Sequence, residues 1–417
     1  MSNTLLIIAI LINVIYFFSP IIILIRILNK KEDRIRFKEK LCFISKKRPK
    51  GKLVWFHASS VGEVLSIIPL IEKLEKKKNI NKILITTNTL SSSKVILEKK
   101  NLKKVIHQFL PIDTNSLSRK FLNHWKPDIA MFVESEIWPN FIFNIKDLEI
   151  PLLLINGRFT KKTFGSWKKI PNSAINIFNM FDLCFVQNQE SKQFLKYFKV
   201  KKIFDCGNLK YSTSSNKILE SKKNLSKIFF NNKIWCASST HFNEEEICAQ
   251  IHVQLKKKIN NLITIIIPRH INRIPKIMEK LKSMNLSVHK HSDNLIKKNK
   301  IDIYLVDVYG ATLNFYKIAQ TVFLGGSLIP HGGQNPLEPA RLGCKIFHGP
   351  NIQNFKEVYK LLNSLNITET IKNKSQLIKK ININLKKPFR KSINKKKLET
   401  IGKKILDKTF LEISKFL

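Results

Sequence analysis

The sequence predicts an α/β fold made of two similar halves, each built on a parallel sheet, and three observations predict it. Short runs that are apolar throughout alternate with stretches whose apolar residues recur at helical spacing. Strands that are apolar on both faces are typical of parallel sheets covered by helices on each side. A polar, irregular segment at 212–232 separates two such series. We therefore expect two Rossmann-like domains, joined once and facing each other across a cleft.

The first series begins near residue 51. Its predicted strands are 53–57, 83–88, 129–133, 152–156 and 183–187. Two helices stand between them, at 63–77 and 117–125. The first has one apolar face, formed by Val64, Ile67, Ile68, Ile71 and Leu74.

The second series follows the polar segment. Its predicted strands are 234–237, 263–267, 303–306, 322–324 and 345–347. A helix at 243–257 carries Glu244, Glu245 and Glu246 in its first turn, where the helix dipole favours negative charge. The predicted domains are an anchor at 1–30, an N-terminal domain at 31–211, a linker at 212–232, a C-terminal domain at 233–372 and a basic helical tail at 373–417.

The predicted anchor is the uncharged segment from Leu5 to Ile25, and a membrane span needs about 20 apolar residues. Basic residues follow it: Arg26, Lys30, Lys31, Arg34 and Arg36. The start of the chain has neither the basic region nor the cleavage site of a secretory signal. The segment either spans the bilayer or lies in one leaflet. In both cases the basic flank predicts that the remaining chain is on the cytoplasmic side.

The net charge of +44 is consistent with binding to nucleic acid or to an anionic membrane. Lysines are spread along the whole chain together with many Ile, Asn and Phe, as an AT-rich genome would impose, so charge alone does not decide the function. The cysteines are far apart and form no C-x-x-C pair: Cys42, Cys184, Cys206, Cys236, Cys248 and Cys344. This spacing favours reduced thiols over a disulfide framework or a zinc site.

Residues 325–338, GGSLIPHGGQNPLE, form the most informative segment. An apolar strand ends in two glycines, and a second pair, Gly332 and Gly333, precedes a helix start. Backbone N–H groups at such a strand tip and helix N-terminus can bind phosphate, and Glu338 could hold ribose hydroxyls. The helix start consists of Asn335, Pro336, Leu337 and Glu338. The alternative is a tight connection without a ligand.

Two further motifs place glutamates after strands. In WFHASSVGEV, a turn of small residues brings Glu63 to a helix start, where it is either a general base or a stabiliser of the helix dipole. In FVESEIWPN, Glu134 and Glu136 directly follow a strand and are either site residues or part of a solvated turn.

Three motifs offer contacts to a phosphate or nucleotide. Lys210 in CGNLKYS could reach a phosphate as a mobile charge. In IIIPRHINR, a strand delivers Pro268 and Arg269, whose planar guanidinium suits a phosphate; the alternative is an ordinary loop arginine. The third is DVYGATLNFY. The histidines lack metal-ligand spacing, and no P-loop string occurs.

Taken in order, these motifs resemble those of the Kdo transferases of lipopolysaccharide synthesis, which move 3-deoxy-D-manno-octulosonic acid (Kdo) from CMP-Kdo to a lipid A precursor. The resemblance runs from the apolar N-terminal segment to about residue 360. It implies the two-domain architecture called GT-B, with the N-terminal membrane helix added, and an inverting displacement. It also implies that Glu63 is the catalytic base, that Glu134 assists in the transition state, and that Lys210 meets phosphate charge. The role of Glu136 stays open.

The resemblance further implies that the C-terminal domain binds CMP-Kdo through Pro268 and Arg269. The remaining donor-site residues that it implies are Gly310, Ala311, Thr312, Gly332, Gly333, Asn335, Pro336, Leu337 and Glu338. Family members usually have a glutamate where this chain has Ala311, which leaves backbone contacts at that position. The helix dipole after Gly333 is expected to add to the positive potential.

No metal or cofactor is expected from this resemblance. The expected partners are CMP-Kdo, a lipid A precursor (lipid IVA) and the inner-membrane surface of a bacterium, without nucleic acid. Two alternatives remain: a GT-B transferase that uses another nucleotide sugar, and a non-catalytic basic protein that binds nucleic acid or membrane. The second would explain the charge but not the ordered Gly, Glu and Arg motifs.

Overall fold

The protein is described by a computed structural model that covers residues 3–213, 225–293, 301–388 and 390–417; the side chains of residues 3–15, 226 and 227 lie outside this description. The chain divides into two compact units. Unit 1 contains the described residues up to Thr213 together with Ile401–Leu417, and unit 2 contains those in between, up to Thr400.

Unit 1 contains a parallel sheet of seven strands within the described residues, in the order β3-β2-β1-β4-β5-β6-β7. The strands are β1 (Leu53–His57), β2 (Lys82–Thr87), β3 (Val105–Phe109), β4 (Ile129–Val133), β5 (Leu152–Gly157), β6 (Leu183–Val186) and β7 (Ile203–Asp205). The order reverses between β1 and β4, where open α/β sheets bind ligands at the carboxyl ends of their strands. The segments after β1 and β4 are therefore the expected location of a site in unit 1.

Helices precede and alternate with the strands of unit 1. They are α1 (Asn3–Leu28), α2 (Val61–Glu75), α3 (Leu90–Leu97), α4 (Asn115–Trp125), α5 (Pro139–Asp147), α6 (Lys161–Lys168), α7 (Pro171–Phe178) and α8 (Gln189–Tyr197). Trp55 of β1 packs against Phe121 and Phe141 of α4 and α5, at ring-centroid distances of 5.0 and 5.7 Å. Burying an aromatic side chain of this kind contributes about 1.5–3 kcal/mol, so this cluster holds the two helices on the sheet.

Unit 2 also contains a parallel sheet of seven described strands, in the order β10-β11-β9-β8-β12-β13-β14. The strands are β8 (Lys233–Thr240), β9 (Leu262–Pro268), β10 (Val288–Lys290), β11 (Ile303–Leu305), β12 (Thr321–Leu324), β13 (Lys345–His348) and β14 (Thr368–Thr370). The order reverses between β8 and β12. The segments after β8, β9 and β12 thus occupy the position in unit 2 that the glutamate motifs occupy in unit 1.

The helices of unit 2 lie before, between and after its strands. They are α9 (Leu225–Ile228), α10 (Glu244–Lys256), α11 (Ile274–Ser283), α12 (Thr312–Ile318), α13 (Leu337–Arg341), α14 (Lys356–Ser364) and α15 (Lys374–Lys386). Short 3-10 helices stand at Arg36–Leu41, Leu209–Ser212, Ile271–Arg273, Gln353–Phe355 and Ser414–Phe416.

One helix, α16 (Lys391–Ile413), contributes residues to both units, because its residues from Ile401 onward belong to unit 1. There Lys73 pairs with Asp407, and the Lys52 ammonium donates a 2.7 Å hydrogen bond to the backbone oxygen of Leu417. Gly402 lies so close to Tyr211 that a Cβ at this position would collide with the Tyr211 backbone. The predicted tail at 373–417 is therefore divided between the two units.

The predicted anchor coincides with α1, whose large apolar side chains from Tyr16 to Leu28 are mostly exposed. Within the part of the chain that the structure describes, no helix combines the length and apolar character needed to cross a bilayer. The anchor stays a prediction, and its side chains before Tyr16 lie outside the described residues. Of its basic flank, Arg26 is bonded to the buried Glu32 at 3.0 Å.

The predicted strands are confirmed to within a few residues, and so are the helices at 63–77, 117–125 and 243–257. The strands β3, β7, β10 and β14 are absent from the prediction. The six cysteines are all buried free thiols, as predicted. Most of the predicted linker, residues 214–224, lies outside the described residues.

Candidate active site

Glu63 stands at the start of α2, three residues after the helix cap. Ser60 caps the helix by accepting the Glu63 N–H at 3.3 Å, and its hydroxyl donates to Glu63 Oε1 at 2.7 Å. The Ser59 N–H donates to Glu63 Oε2 at 2.8 Å. This reciprocal bonding differs from a standard capping box, because the backbone N–H that Glu63 accepts is that of Ser59, the residue before the cap. It fixes the direction of the carboxylate as well as the helix end.

Burial raises the pKa of Glu63 to about 7, and the nearby Glu136 carboxylate is the next cause. The hydrogen bonds from Ser60 and Ser59 act in the opposite direction but are weaker than these two effects. A carboxylate with a pKa near neutral pH is suited to accept a proton, since it can be ionised at rest and still have a useful affinity for the proton.

Glu136 lies beside Glu63 and remains ionised. Its Oε2 accepts hydrogen bonds from Ser59 Oγ at 2.5 Å and from Trp138 Nε1 at 2.9 Å, and lies 3.3 Å from His57 Nε2. Burial opposes its ionisation, but the bonds from His57, Ser59 and Trp138 hold the pKa of its carboxyl below the usual value. The pKa values of the two neighbouring carboxyls are therefore shifted in opposite directions, up for Glu63 and down for Glu136, as in acid–base pairs of active sites.

Ser59 connects the two carboxylates, because its N–H binds Glu63 and its hydroxyl binds Glu136. Asn88 and Ser92, which both follow β2 in the chain, hold Ser59 in place. Asn88 Nδ2 donates to Ser59 Oγ at 2.8 Å, and Ser92 Oγ donates to the Ser59 carbonyl at 2.8 Å. The residue after β2 and the first turn of α3 thus brace the turn between β1 and α2, which keeps the position of Glu63 well defined.

Glu134 directly follows β4 with a φ of +58°, a left-handed conformation that costs energy for a residue with a side chain. The residue is 7% exposed, and its carboxylate pairs with Lys210 Nζ at 2.5 Å. Asn156 accepts the Leu209 N–H at 3.0 Å and thereby fixes the turn that carries Lys210. The predicted residues Glu134 and Lys210 are brought together, although 76 positions separate them in the sequence.

The carboxylate cluster is defined here as Glu63, Glu134 and Glu136, and all three members follow β1 or β4 at the reversal of strand order. Its supporting residues His57, Ser59, Asn88 and Asn156 were not predicted as site residues from the sequence. Each is a polar residue at or just after a strand end, which is the signal that could have indicated them.

In unit 2, Pro268 is the last residue of β9, and Arg269 follows it with an exposed side chain. The Arg269 N–H donates to the Thr240 carbonyl at 3.0 Å, which ties the tips of β9 and β8 together. Gly310 has a φ of +83°, and Ala311 and Thr312 begin α12 directly after it. These predicted residues stand at or shortly after the carboxyl ends of β9 and β11.

The glycine pair Gly332 and Gly333 has a packing role. Both have positive φ, and a Cβ on them would meet the Asn354 side chain or the Asn351 carbonyl oxygen. The Gly333 N–H donates to the Gly326 carbonyl at 2.8 Å. The expectation that this pair offers its N–H groups to a ligand is not met at Gly333, because the group is already bonded within the loop.

The helix after this loop is short. α13 has five residues, so the dipole expected after Gly333 is small. Asn335 forms a side-chain turn by accepting the Leu337 N–H at 3.1 Å, and Pro336 is buried. Glu338 is exposed on the first turn of the helix and can reach a ligand.

Comparison with known proteins identifies the family. A model of the family described as 3-deoxy-D-manno-octulosonic-acid transferase (kdotransferase) matches residues 35–213. A 3-deoxy-D-manno-octulosonic acid transferase of Rickettsia bellii is 35% identical over 341 residues, which are 82% of this chain and 81% of the relative. The chain belongs to the Kdo transferase family. It is a glycosyltransferase.

Two further similarities extend this result. The Kdo transferase of Haemophilus influenzae is 30% identical over 75% of this chain and 74% of its own length. A UDP-GlcNAc 2-epimerase of Neisseria meningitidis, solved with UDP-GlcNAc, has a TM-score of 0.56 at 14% identity and covers 86% of this chain and 100% of its own. At that identity the likeness concerns the fold alone: two parallel-sheet α/β units, as in GT-B glycosyltransferases.

Proposed function

We propose that this transferase moves Kdo from CMP-Kdo to a lipid A precursor, lipid IVA, with inversion at the anomeric carbon and release of CMP. The observation that carries the proposal is Glu63, a fixed carboxylate at the strand-order reversal of unit 1 whose pKa is raised to about 7 by burial and by Glu136. The family membership supplies the sugar that is transferred.

In the proposed reaction, Glu63 accepts the proton of an acceptor hydroxyl as that oxygen bonds to the anomeric carbon of Kdo. The bond from this carbon to the phosphate oxygen breaks, and the electron pair leaves with CMP. A single displacement of this kind inverts the configuration. General-base catalysis of this type contributes about 10²–10⁴-fold to the rate.

In unit 1, Lys210 and Glu134 form an ion pair, and we propose that they act together. The ammonium group meets charge that develops in the transition state, and the carboxylate holds the flexible lysine in position. Positive groups fixed before the reaction stabilise such charge without reorganising.

In unit 2, we propose that Arg269 binds the donor phosphate and that Glu338 accepts hydrogen bonds from the ribose hydroxyls. Both side chains are exposed. Backbone groups of Gly310, Ala311 and Thr312 contact the nucleotide. The segment from Asn335 to Leu337 shapes the site, with Pro268 at its edge. Because Ala311 has no polar side-chain atom, only its backbone can contact the nucleotide at a position where family members usually have a glutamate.

We further propose that the protein is held at the cytoplasmic face of a bacterial inner membrane by its N-terminal helix. The exposed apolar side chains of α1 and the basic residues after it support attachment to an anionic lipid surface, where a lipid acceptor is found. Removal of residues 1–28 should move the protein from the membrane fraction to the soluble fraction at 1 M salt, where charge attraction is screened. An unchanged membrane fraction would contradict the attachment.

The decisive experiment incubates the purified protein with CMP-Kdo and tetraacylated lipid A precursor and measures the product mass. We expect one or more Kdo additions and equimolar CMP. NMR of the new linkage then tests inversion. Transfer from another nucleotide sugar but not from CMP-Kdo would favour the alternative of a GT-B transferase with a different donor.

A further inference from the structure

Three histidine rings meet at the carboxyl end of the sheet in unit 2. His241 follows β8, His270 follows β9, and His331 lies in the loop after β12, and these three strands are neighbours in the order β9-β8-β12. The ring centroids of His241 and His331 are 4.0 Å apart, and those of His241 and His270 are 5.9 Å apart. We call these three residues the imidazole cluster.

The loop under the cluster is organised by a buried carboxylate. Glu244 accepts the N–H groups of Gly326 at 2.7 Å and His241 at 3.0 Å. Gly326 has a φ of +64°, and a Cβ there would lie 3.1 Å from the rings of both His241 and His331. A glycine is therefore required for the two rings to pack together over this loop.

The second carboxylate of this region, Glu245, is also hydrogen-bonded within the protein. Glu245 accepts a bidentate pair of hydrogen bonds from Arg273 at 3.0 and 2.9 Å and a bond from Thr240 Oγ1 at 2.9 Å. The charged groups that act on the His241 ring are cationic or imidazole: His331, His270, Arg269 and Arg273. Burial and these neighbours lower the pKa of His241 to about 4. His241 Nε2 is bonded to Gln334 Nε2 at 3.2 Å. The donors left at this edge of the sheet are the exposed side chains of His270, His331 and Arg269, whereas Glu244 and Glu245 are hydrogen-bonded within the protein.

This arrangement favours an anionic ligand. His241 is 8% exposed, but His270, His331 and Arg269 are exposed and accessible. Within the described residues, no group of three or more His, Cys, Asp or Glu side chains has an arrangement that could hold a metal ion. Imidazole N–H groups and a guanidinium are the donors that proteins use for phosphate and carboxylate oxygens.

We propose that the imidazole cluster, together with Arg269, binds an anionic group of the sugar nucleotide, either its phosphate or the carboxylate of its sugar. This inference rests on the proposed function and assigns a role to three residues for which the sequence predicted none. The adjacent rings place the donor's negative charge at the strand-order reversal of unit 2, next to β8 and β12.

The test uses His331→Gln, which replaces an exposed side chain, and His241→Gln, and the fold of each variant is checked by its melting temperature. CMP and cytidine are titrated calorimetrically into the full-length protein. Free Kdo is tested as a competitor of CMP-Kdo in the transfer assay. Lys282→Gln, an exposed change at the far end of α11, is the matched control for the removal of a basic side chain.

We expect CMP affinity to fall about 10- to 100-fold in a variant that loses a charge-assisted bond, while cytidine affinity stays at the wild-type value. If the carboxylate is the group bound, competition by Kdo weakens instead, and the ratio of CMP to cytidine affinity is unchanged. Equal affinities of both variants and wild type for CMP, cytidine and Kdo would overturn the inference. A wild-type protein that binds no CMP would contradict the proposed function itself.

Discussion

The two units have the same sheet architecture but opposite chemistry at equivalent positions. At the strand-order reversal of unit 1, the carboxylate cluster of Glu63, Glu134 and Glu136 is accompanied by one ion-paired lysine, Lys210. At the reversal of unit 2, the side chains of His270, His331 and Arg269 are exposed, and the carboxylates Glu244 and Glu245 bind loop N–H groups and Arg273. The fold supplies a position, and the side chains after two or three strands decide whether that position accepts protons or binds anions.

This difference also explains why the net charge of +44 says little about function. The carboxylate cluster lies in unit 1 of a chain that is strongly basic as a whole. Local hydrogen bonds and burial set the behaviour of each carboxyl, whereas distant lysines are screened by salt within about 10 Å.

Glu63→Gln is the strongest way to break the comparison, because it removes the proton acceptor of unit 1 and keeps the size of the side chain. We expect the rate of Kdo transfer to fall about 10²–10⁴-fold. CMP affinity, measured by calorimetry, should stay at the wild-type value because the proposed donor residues belong to unit 2.

Glu72→Gln on the same helix is the matched control and should retain the wild-type rate. If Glu63→Gln retains more than about a tenth of the wild-type rate, Glu63 is not the base. Glu134 then becomes the candidate to replace next.

Arg269→Ala and Glu338→Ala probe the anion-binding side of the comparison. Loss of a charge-assisted hydrogen bond should weaken CMP binding about 10- to 100-fold for Arg269→Ala. Glu338→Ala should have a smaller effect, since a ribose hydroxyl carries no charge. Calorimetric titration of CMP measures both, with Lys282→Ala as the control. Wild-type affinity in both variants would remove these residues from the donor site.

Glu136→Gln sharpens the comparison within unit 1. The pKa of Glu63 is raised to about 7 by burial and then by Glu136, so the transfer rate should rise with pH through about 7 as Glu63 becomes ionised. Removing the Glu136 charge lowers the pKa of Glu63, and the acid limb of the pH–rate profile should move to lower pH. The exposed Glu98→Gln should leave the limb in place. A limb that stays or moves upward in Glu136→Gln would contradict the coupling.

The smallest expected effect concerns stability. Because the pKa of Glu63 is raised from 4.5 to about 7, folding favours its protonated form. The stabilisation of the folded state by protonated Glu63 is complete below pH 4.5 and is lost as pH rises through about 7. The amide of Glu63→Gln has no such dependence, so its melting temperature relative to wild type should increase between pH 4.5 and 8. A constant difference across that range would show that the pKa is not raised by folding.

The sequence predicted the central strands because their residues are apolar throughout, as in β1 and β4. It missed the edge strands β3, β7, β10 and β14, which are short or include polar residues, as in VHK and IFD. It located Glu134 and Arg269 because each follows a strand directly, and Glu63 because a short turn of small residues links β1 to the first turn of α2.

The sequence did not indicate the partners of these residues. Asn88 braces Ser59 from 29 positions away, and His331 reaches His241 from 90 positions away. Such contacts depend on the order of strands in the sheet, which alternation of strands and helices alone leaves open. Helix periodicity likewise could not show that α16 belongs to both units.

The division of α16 has a consequence for the synthesis of the protein. Unit 1 includes Ile401–Leu417, so its sheet is translated long before the residues that pack on α2 and on the turn at Tyr211. Residues 214–400 must be made first, which at about 5–20 residues per second takes roughly 10–40 s. During that interval, the surface around Lys73 and Tyr211 that later receives Gly402 and Asp407 is open to water on the nascent chain. Unit 1 is thus encoded first but completed after unit 2, and chaperone capture during translation would be expected at that surface.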